Sequence, residues 1–175
     1  MVKEKYKSFD VLIEIPRGSR NKYEYDFKLK RIRFDRMLFS SMMYPADYGF
    51  IPQTLALDGD PLDVLVLINE PTFPGCVMEV KPIGVFHMAD DKGPDEKVIC
   101  VPVSDPIWNS LNDLSDINPH LLKEIEHFFQ VYKDLENKVV DVGGWGDLSE
   151  ALSIIDECTE RFNQIENKPA DLFNI

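Results

Sequence analysis

A chain of 175 residues with 44% hydrophobic and 11% aromatic content can bury one real core, which excludes a disordered composition. Its 31 acidic residues outnumber 19 basic ones and leave a formal charge of −12. Such a surface argues against nucleic acid and anionic membrane as partners and suits cations. The opening residues MVKEKYKSFD lack the apolar stretch of a signal peptide, and no run is long enough to span a bilayer. Cys76, Cys100 and Cys158 are widely spaced and form no CxxC pair. A cytoplasmic protein with reduced thiols is expected, organised as one domain over residues 1–175.

Strand signals come first along the chain. Phe9, Val11, Ile13 and Ile15 alternate with Ser8, Asp10 and Glu14. Pro16, Gly18 and Asn21 then mark a turn. Over 22–27, Lys22, Glu24 and Asp26 share one face while Tyr23, Tyr25 and Phe27 share the other. Residues 31–35 alternate again around Ile32 and Phe34, and 64–68 is a continuous apolar run, as in a strand buried on both faces. Residues 77–86 and 98–103 are further strands, each with a proline that points to an edge or a bulge. The last third is helical. Asn118-Pro119 reads as an N-cap with proline at the first helical position, followed by Leu121, Ile125, Phe128, Tyr132 and Leu135 at three- and four-residue spacing. A second helix is expected over about 149–166, with Leu152, Ile155, Phe162 and Ile165 inward. The class is α+β, mainly β, with the strands curled into a small barrel and helices outside.

The most informative stretch is Asp58-Gly59-Asp60-Pro61-Leu62-Asp63, directly before the apolar run. Gly59 and Pro61 force a turn, so three carboxylates can converge. Held together, they raise one another's pKa unless a cation neutralises them, and hard divalent cations prefer such oxygen ligands. A solvated acidic turn fits the same residues. A calcium loop of the EF-hand type does not, because its required glycine and closing glutamate are absent. A second acidic loop carries Asp90, Asp91, Asp95 and Glu96 between two strands, where it is either a solvated hairpin tip or the other half of a metal site. His87, His120 and His127 have no metal-ligand spacing.

Between residues 17 and 36, eight basic residues accompany three acidic ones, a local excess of five positive charges. This suits an anion pocket. It also fits the alternative of a non-catalytic OB-like module that binds nucleic acid. Tyr44, Tyr48 and Tyr132 offer neutral hydroxyl donors, and Lys133 follows Tyr132. Carboxylates for metal beside cations for phosphate suit a magnesium-complexed polyanion.

From Ile13-Glu14-Ile15-Pro16 through Trp145, the sequence closely resembles family I soluble inorganic pyrophosphatases of the short bacterial type. The resemblance is carried by Asp58-Gly59-Asp60-Pro61-Leu62-Asp63-Val64, Lys22-Tyr23-Glu24, Asp35-Arg36, Tyr44-Pro45 through Tyr48-Gly49, and Tyr132-Lys133-Asp134-Leu135-Glu136. It implies a distorted five-stranded OB-like β-barrel flanked by two C-terminal helices, and Mg²⁺-dependent hydrolysis of pyrophosphate to two phosphates. By the same resemblance, Asp58, Asp63 and Asp95 bind a first Mg²⁺, Asp63 reaches a second, and Asp90 with Asp95 serves a third. Asp60 is the implied general base. Lys22, Arg36, Tyr48, Lys97, Tyr132 and Lys133 are implied phosphate ligands, and Glu14 and Glu24 outer-sphere partners. The family commonly forms hexamers in bacteria, which implies a homo-oligomer with the first helix and His127 near an interface.

Overall fold

The computed structural model describes residues 8–169 and 171–175. Among them the chain runs through β1 (Phe9–Ile15), β2 (Asn21–Asp26), β3 (Arg31–Met37), β4 (Asp47–Phe50), β5 (Asp63–Val66), β6 (Val77–Asp90), β7 (Gly93–Pro94) and β8 (Lys97–Pro102). Helix α1 (Pro119–Val131), β9 (Asp141–Gly146) and α2 (Leu148–Asn163) follow.

Five strands close a ring. β1 pairs with β4, β4 with β5, β5 with β8, β8 with β6, and β6 returns to β1. Only the β5–β8 pair is parallel. Closure leaves no free edge within the ring, which is the structural economy of a barrel. The 14-residue β6 also pairs with β7 and β9. Its proline is accommodated where the β6–β8 register slips between Pro82 and Gly84, so the missing N–H falls at a bulge. β2 and β3 form a separate antiparallel hairpin.

The apolar run after Asp63 reads as it does because both faces of its strand are covered. Val64 and Val66 join one buried cluster with Val98, Cys100, Ala151, Ile155 and Cys158, beneath α2. Leu65 and Leu67 join the other with Ile99, Val101, Ile125, Phe128 and Phe129, beneath α1. Each fully buried aliphatic side chain contributes about 1.5–3 kcal/mol, and the period-2 alternation splits that gain between the two clusters. Gly49 sits where β4 crosses β1, and a Cβ there would lie 1.9 Å from the Leu12 carbonyl oxygen.

Both helices start on side-chain caps. Asn118 accepts from the His120 N–H at 2.9 Å, and Asp147 accepts from the Glu150 N–H at 2.9 Å. α1 ends at its cap residue Tyr132, which is buried, whereas Leu135 lies beyond the helix and is 65% exposed. The expected inward stripe therefore stops one turn early, because a 3-10 turn over Asp134–Glu136 redirects the chain. α2 buries Ala151, Ile155, Cys158 and Phe162, one register step from the expected Leu152, and stops before Ile165. Among the described residues, no helix is long and apolar enough to cross a membrane.

Candidate active site

One polar cavity of about 340 Å³ opens beside the ring, lined by ends of β1, β2, β4, β5 and β8 and by the start of the segment after α1. The acidic turn forms part of its rim. Thr54 anchors that turn: its hydroxyl donates to the Ile51 carbonyl at 2.6 Å and accepts the Leu62 N–H at 2.8 Å. Gly59 adopts φ +92°, the left-handed region that glycine enters without a Cβ penalty. The Asp60 N–H donates to Asp58 Oδ1 at 3.1 Å. Pro61 and Leu62 are buried while Asp58 and Asp60 face the cavity, so the turn is pinned at its base and presents its carboxylates.

Sheet register gathers the remaining groups. Asp63 opens β5 and pairs in register with Lys97, which opens the parallel β8. Lys97 is only 2% exposed, and its Nζ donates to Asp63 Oδ2 at 2.6 Å and to Asp95 Oδ1 at 2.5 Å. Tyr48 on β4 donates its hydroxyl to the same Asp63 oxygen at 2.6 Å. Asp95 is fixed by its own N–H, which donates to the Met88 carbonyl at 2.8 Å. The β1–β4 register slips between Ile13 and Ile15, at Glu14, whose carboxylate accepts the Tyr25 N–H at 2.7 Å and ties β1 to the hairpin. On the far side, Lys133 Nζ donates to Asp90 Oδ2 at 3.2 Å, just past buried Tyr132. Lys22 is paired with Glu24 and, at 3.3 Å, with Asp35.

The electrostatics follow from crowding acids in a partly dry space. Burial pushes the Glu14 carboxyl up to about 8, against the lowering pull of the Tyr25 N–H. Burial likewise raises Asp58 and Asp95, with neighbouring carboxylates adding to both shifts. Burial would depress Lys97, but Asp63 and Asp95 outweigh it and hold the ammonium above its ordinary value. Asp90 goes the other way: burial opposes its charge, yet the Lys92 N–H and Lys133 keep it below the usual carboxylate range. Tyr48 is raised by burial and then by Asp63, so its hydroxyl stays a protonated donor.

Carboxylates dominate the donor set, and the raised acids mark where a hard divalent cation would relieve repulsion. Among the described residues, no three Asp, Glu, His or Cys side chains already close around a common metal position. Between Asp63 and Asp95 the counter-charge is instead the Lys97 ammonium. The oxygen chemistry fits such a cation, which would compete with the Lys97 ammonium for these carboxylates.

Asp58, Asp60, Asp63, Asp90 and Asp95 thus share one cavity with Lys22, Tyr48, Lys97, Tyr132, Lys133, Glu14 and Glu24. Arg36 does not line it. Its guanidinium is held by Glu136 at 2.9 and 3.1 Å and by Asp35 at 2.5 Å, behind Lys22. The basic stretch is also dispersed. Arg17 caps the Ile68 and Asn69 carbonyls, Arg20 those of Leu38 and Ser40, and Arg33 pairs with Asp26. Only Lys22 of the eight enters the cavity. Sequence reading did not single out Lys92, Tyr25, Phe27, Phe50 or Phe173 as lining residues. The in-register aromatics of 22–27 could have indicated Tyr25 and Phe27, whereas nothing local marks Phe173.

A family model described as "Inorganic pyrophosphatase" matches residues 11–163. An inorganic pyrophosphatase of Methanosarcina mazei is 62% identical over 154 residues, covering 88% of this chain and 91% of that protein. One from Halalkalibacterium halodurans is 52% identical, covering 89% and 96%. The crystal structure of the inorganic pyrophosphatase from Thermus thermophilus superposes with a TM-score of 0.88 at 45% identity, over 92% of this chain and 94% of that one. A truncated Trypanosoma cruzi vacuolar soluble pyrophosphatase, solved in complex with PPi, superposes at 0.84 with 28% identity, over 93% and 72%. The nucleic-acid-binding alternative gains no support from these likenesses.

Proposed function

The chain belongs to the inorganic pyrophosphatase family and hydrolyses inorganic pyrophosphate, and we propose that it does so with Mg²⁺ and with Asp60 as general base. The observation that carries this reading is the convergence of five aspartates and four lysines on one cavity. A divalent metal requirement goes with the family. Asp58, Asp63 and Asp95 are the residues that would hold a first Mg²⁺, with Asp63 reaching a second and Asp90 with Asp95 a third. Bound there, the cations would acidify the attacking water and screen phosphate charge.

The chain's own residues supply the rest. Asp60 is exposed on the cavity rim and backed by a pinned turn, so it can take a proton at a carboxylate oxygen without rearranging the loop. Lys22, Lys97 and Lys133 stabilise charge on the transferring and leaving phosphates, and Tyr48 and Tyr132 add neutral hydroxyl donors. Arg36 acts from behind Lys22 and reaches phosphate only by leaving Glu136 or Asp35. Glu14 on β1 and Glu24 on the hairpin would order water around a bound cation. No covalent nucleophile is needed.

The test is phosphate release from pyrophosphate, with chelator and then with excess Mg²⁺. Release should depend on the metal, and Asp60→Asn should lower kcat by about 10²–10⁴-fold, the usual weight of a general base. An unimpaired Asp60→Asn enzyme would remove Asp60 from the mechanism, and a metal-independent rate would remove Mg²⁺. We further take residues 1–175 as one domain, supported by apolar clusters that α1 and α2 each share with the ring. A cytoplasmic location is supported by three free thiols. A homohexamer is the expected assembly. The groove along α1 that exposes Met43 and carries Leu121 and His127 supports it, and light scattering at the 20.2 kDa monomer mass would refute it.

A further inference from the structure

The cavity has two chemically different walls. The first carries the carboxylates and lysines described above. The second is a run of aromatic rings: Tyr25 meets Phe27 at 5.0 Å, Phe27 meets Phe50 at 5.5 Å, and Phe27 meets Phe173 at 5.1 Å. Three of these rings come from the ring and hairpin strands or their turns. The fourth comes from residues 171–175, beyond the matched family region.

Phe173 is built into that wall. Its carbonyl accepts the Gln53 N–H at 3.1 Å, and its ring also packs on Phe162 of α2 at 6.1 Å. Asp171 pairs with Lys30 on the β2–β3 turn at 3.6 Å. Segment 171–175 therefore straps three places together: the loop before the acidic turn, the hairpin tip and the end of α2. Phe173 holds φ +50°, a region a bulky side chain rarely occupies, so its contacts fix its conformation.

We propose that Phe173 is a specificity-determining residue that restricts this enzyme to pyrophosphate by giving longer inorganic polyphosphates an apolar wall in place of a third phosphate subsite. The argument rests on the hydrolytic reading above. A third phosphoryl group extending from the charged wall meets phenyl rings. The rings of Phe27, Phe50 and Phe173 donate no hydrogen bond to its oxygens and supply no counter-charge, which leaves the Tyr25 hydroxyl as that wall's donor. Against the phenyl rings the phosphoryl group's water would be stripped without replacement, a cost that pyrophosphate, held on the charged wall, does not meet.

The test is kcat/KM for inorganic tripolyphosphate relative to pyrophosphate, with excess Mg²⁺, in the unaltered chain and in Phe173→Ala, Phe173→Lys and Phe173→Leu. Phe173→Ala admits water and should raise the ratio about fivefold or more. Phe173→Lys adds a counter-charge and should raise it further. Phe173→Leu keeps an apolar wall and should leave the ratio within about twofold. Hydrogen exchange at the Gln53 amide, which donates to the residue 173 carbonyl, reads the strap independently of turnover: protection retained in Phe173→Leu and Phe173→Lys shows that segment 171–175 stays docked, so a changed ratio reports the side chain. A ratio unchanged in both Phe173→Ala and Phe173→Lys, or raised equally by Phe173→Leu, overturns the proposal. Failure of the unaltered chain to release phosphate from pyrophosphate would instead sink the hydrolytic reading, so the two failures are distinct.

Discussion

Replacing Lys97 with methionine keeps the volume of a buried side chain but deletes its charge, leaving Asp63 and Asp95 facing each other. The lysine is 2% exposed and lies 2.6 and 2.5 Å from the two carboxylates. At an effective dielectric of about 20, each contact has a gross attraction of roughly 6 kcal/mol, most of it offset by desolvation of three charges. The relevant quantity is the cost of stranding the partners, about 3–5 kcal/mol for a buried pair that loses one member. Urea unfolding in chelator near about pH 8 should show that loss as a lower midpoint with an unchanged slope. Asp95 is already pushed up by burial, with Lys97 opposing, so in the variant it binds a proton more readily. A folded-state pKa above the unfolded value means that the deficit is largest at high pH and shrinks as pH falls toward the ordinary carboxylate range. Added Mg²⁺ should restore more stability to the variant than to the unaltered chain, because it replaces the missing counter-charge. A loss below about 1 kcal/mol, or one that does not diminish at low pH, would refute this account of the site.

Glu14→Gln probes the other buried acid. Glu14 is raised from 4.5 to about 8, so its stabilising contribution is complete below the lower value and lost as pH rises through the upper one. In chelator, the glutamine variant should match the unaltered chain at about pH 4 and exceed it at about pH 9, by at most about 5 kcal/mol at roughly 1.4 kcal/mol per pH unit. Calorimetry at the two pH values checks the crossover. Gly49→Ala forces a Cβ to within 1.9 Å of the Leu12 carbonyl oxygen, where backbone and not a flexible side chain must move. Thermal unfolding should register about 3 kcal/mol or more of destabilisation, and a near-neutral result would mean that the β1–β4 crossing is looser than described.

Much of the fold was legible because its signals are local. The Phe9–Ile15 alternation, the apolar run after Asp63 and the Asn118-Pro119 start of α1 each carry their own physics within a few residues. β4 and β9 were not legible. Asp47–Phe50 is only four residues long, and Asp141–Gly146 contains three glycines whose strand is specified by pairing with β6 and not by propensity. The two-faced burial of β1, where Leu12 is buried beside Val11 and Ile13, is invisible to an alternation rule because closure of the ring covers both faces. In the site, the Gly-Pro turn announced its aspartates. The second acidic loop divided: Asp90 and Asp95 turn inward while Asp91 stays exposed, a distinction made by the β6–β7 pairing. Arg36 and Phe173 are opposite lessons. Arg36 looked available in sequence but is held by Glu136, 100 residues away, and Phe173 looked incidental but reaches the cavity through contacts with Phe27 and Gln53.

The most direct test is anomalous diffraction from crystals soaked in Mn²⁺ and phosphate, since Mn²⁺ takes the same oxygen ligands as Mg²⁺ and can be located unambiguously. The account predicts metal peaks about 2 Å from carboxylate oxygens of Asp58, Asp63 and Asp95, with Lys97 turned from those oxygens toward phosphate. Peaks confined to surface carboxylates, with Lys97 still clasped between Asp63 and Asp95, would contradict it.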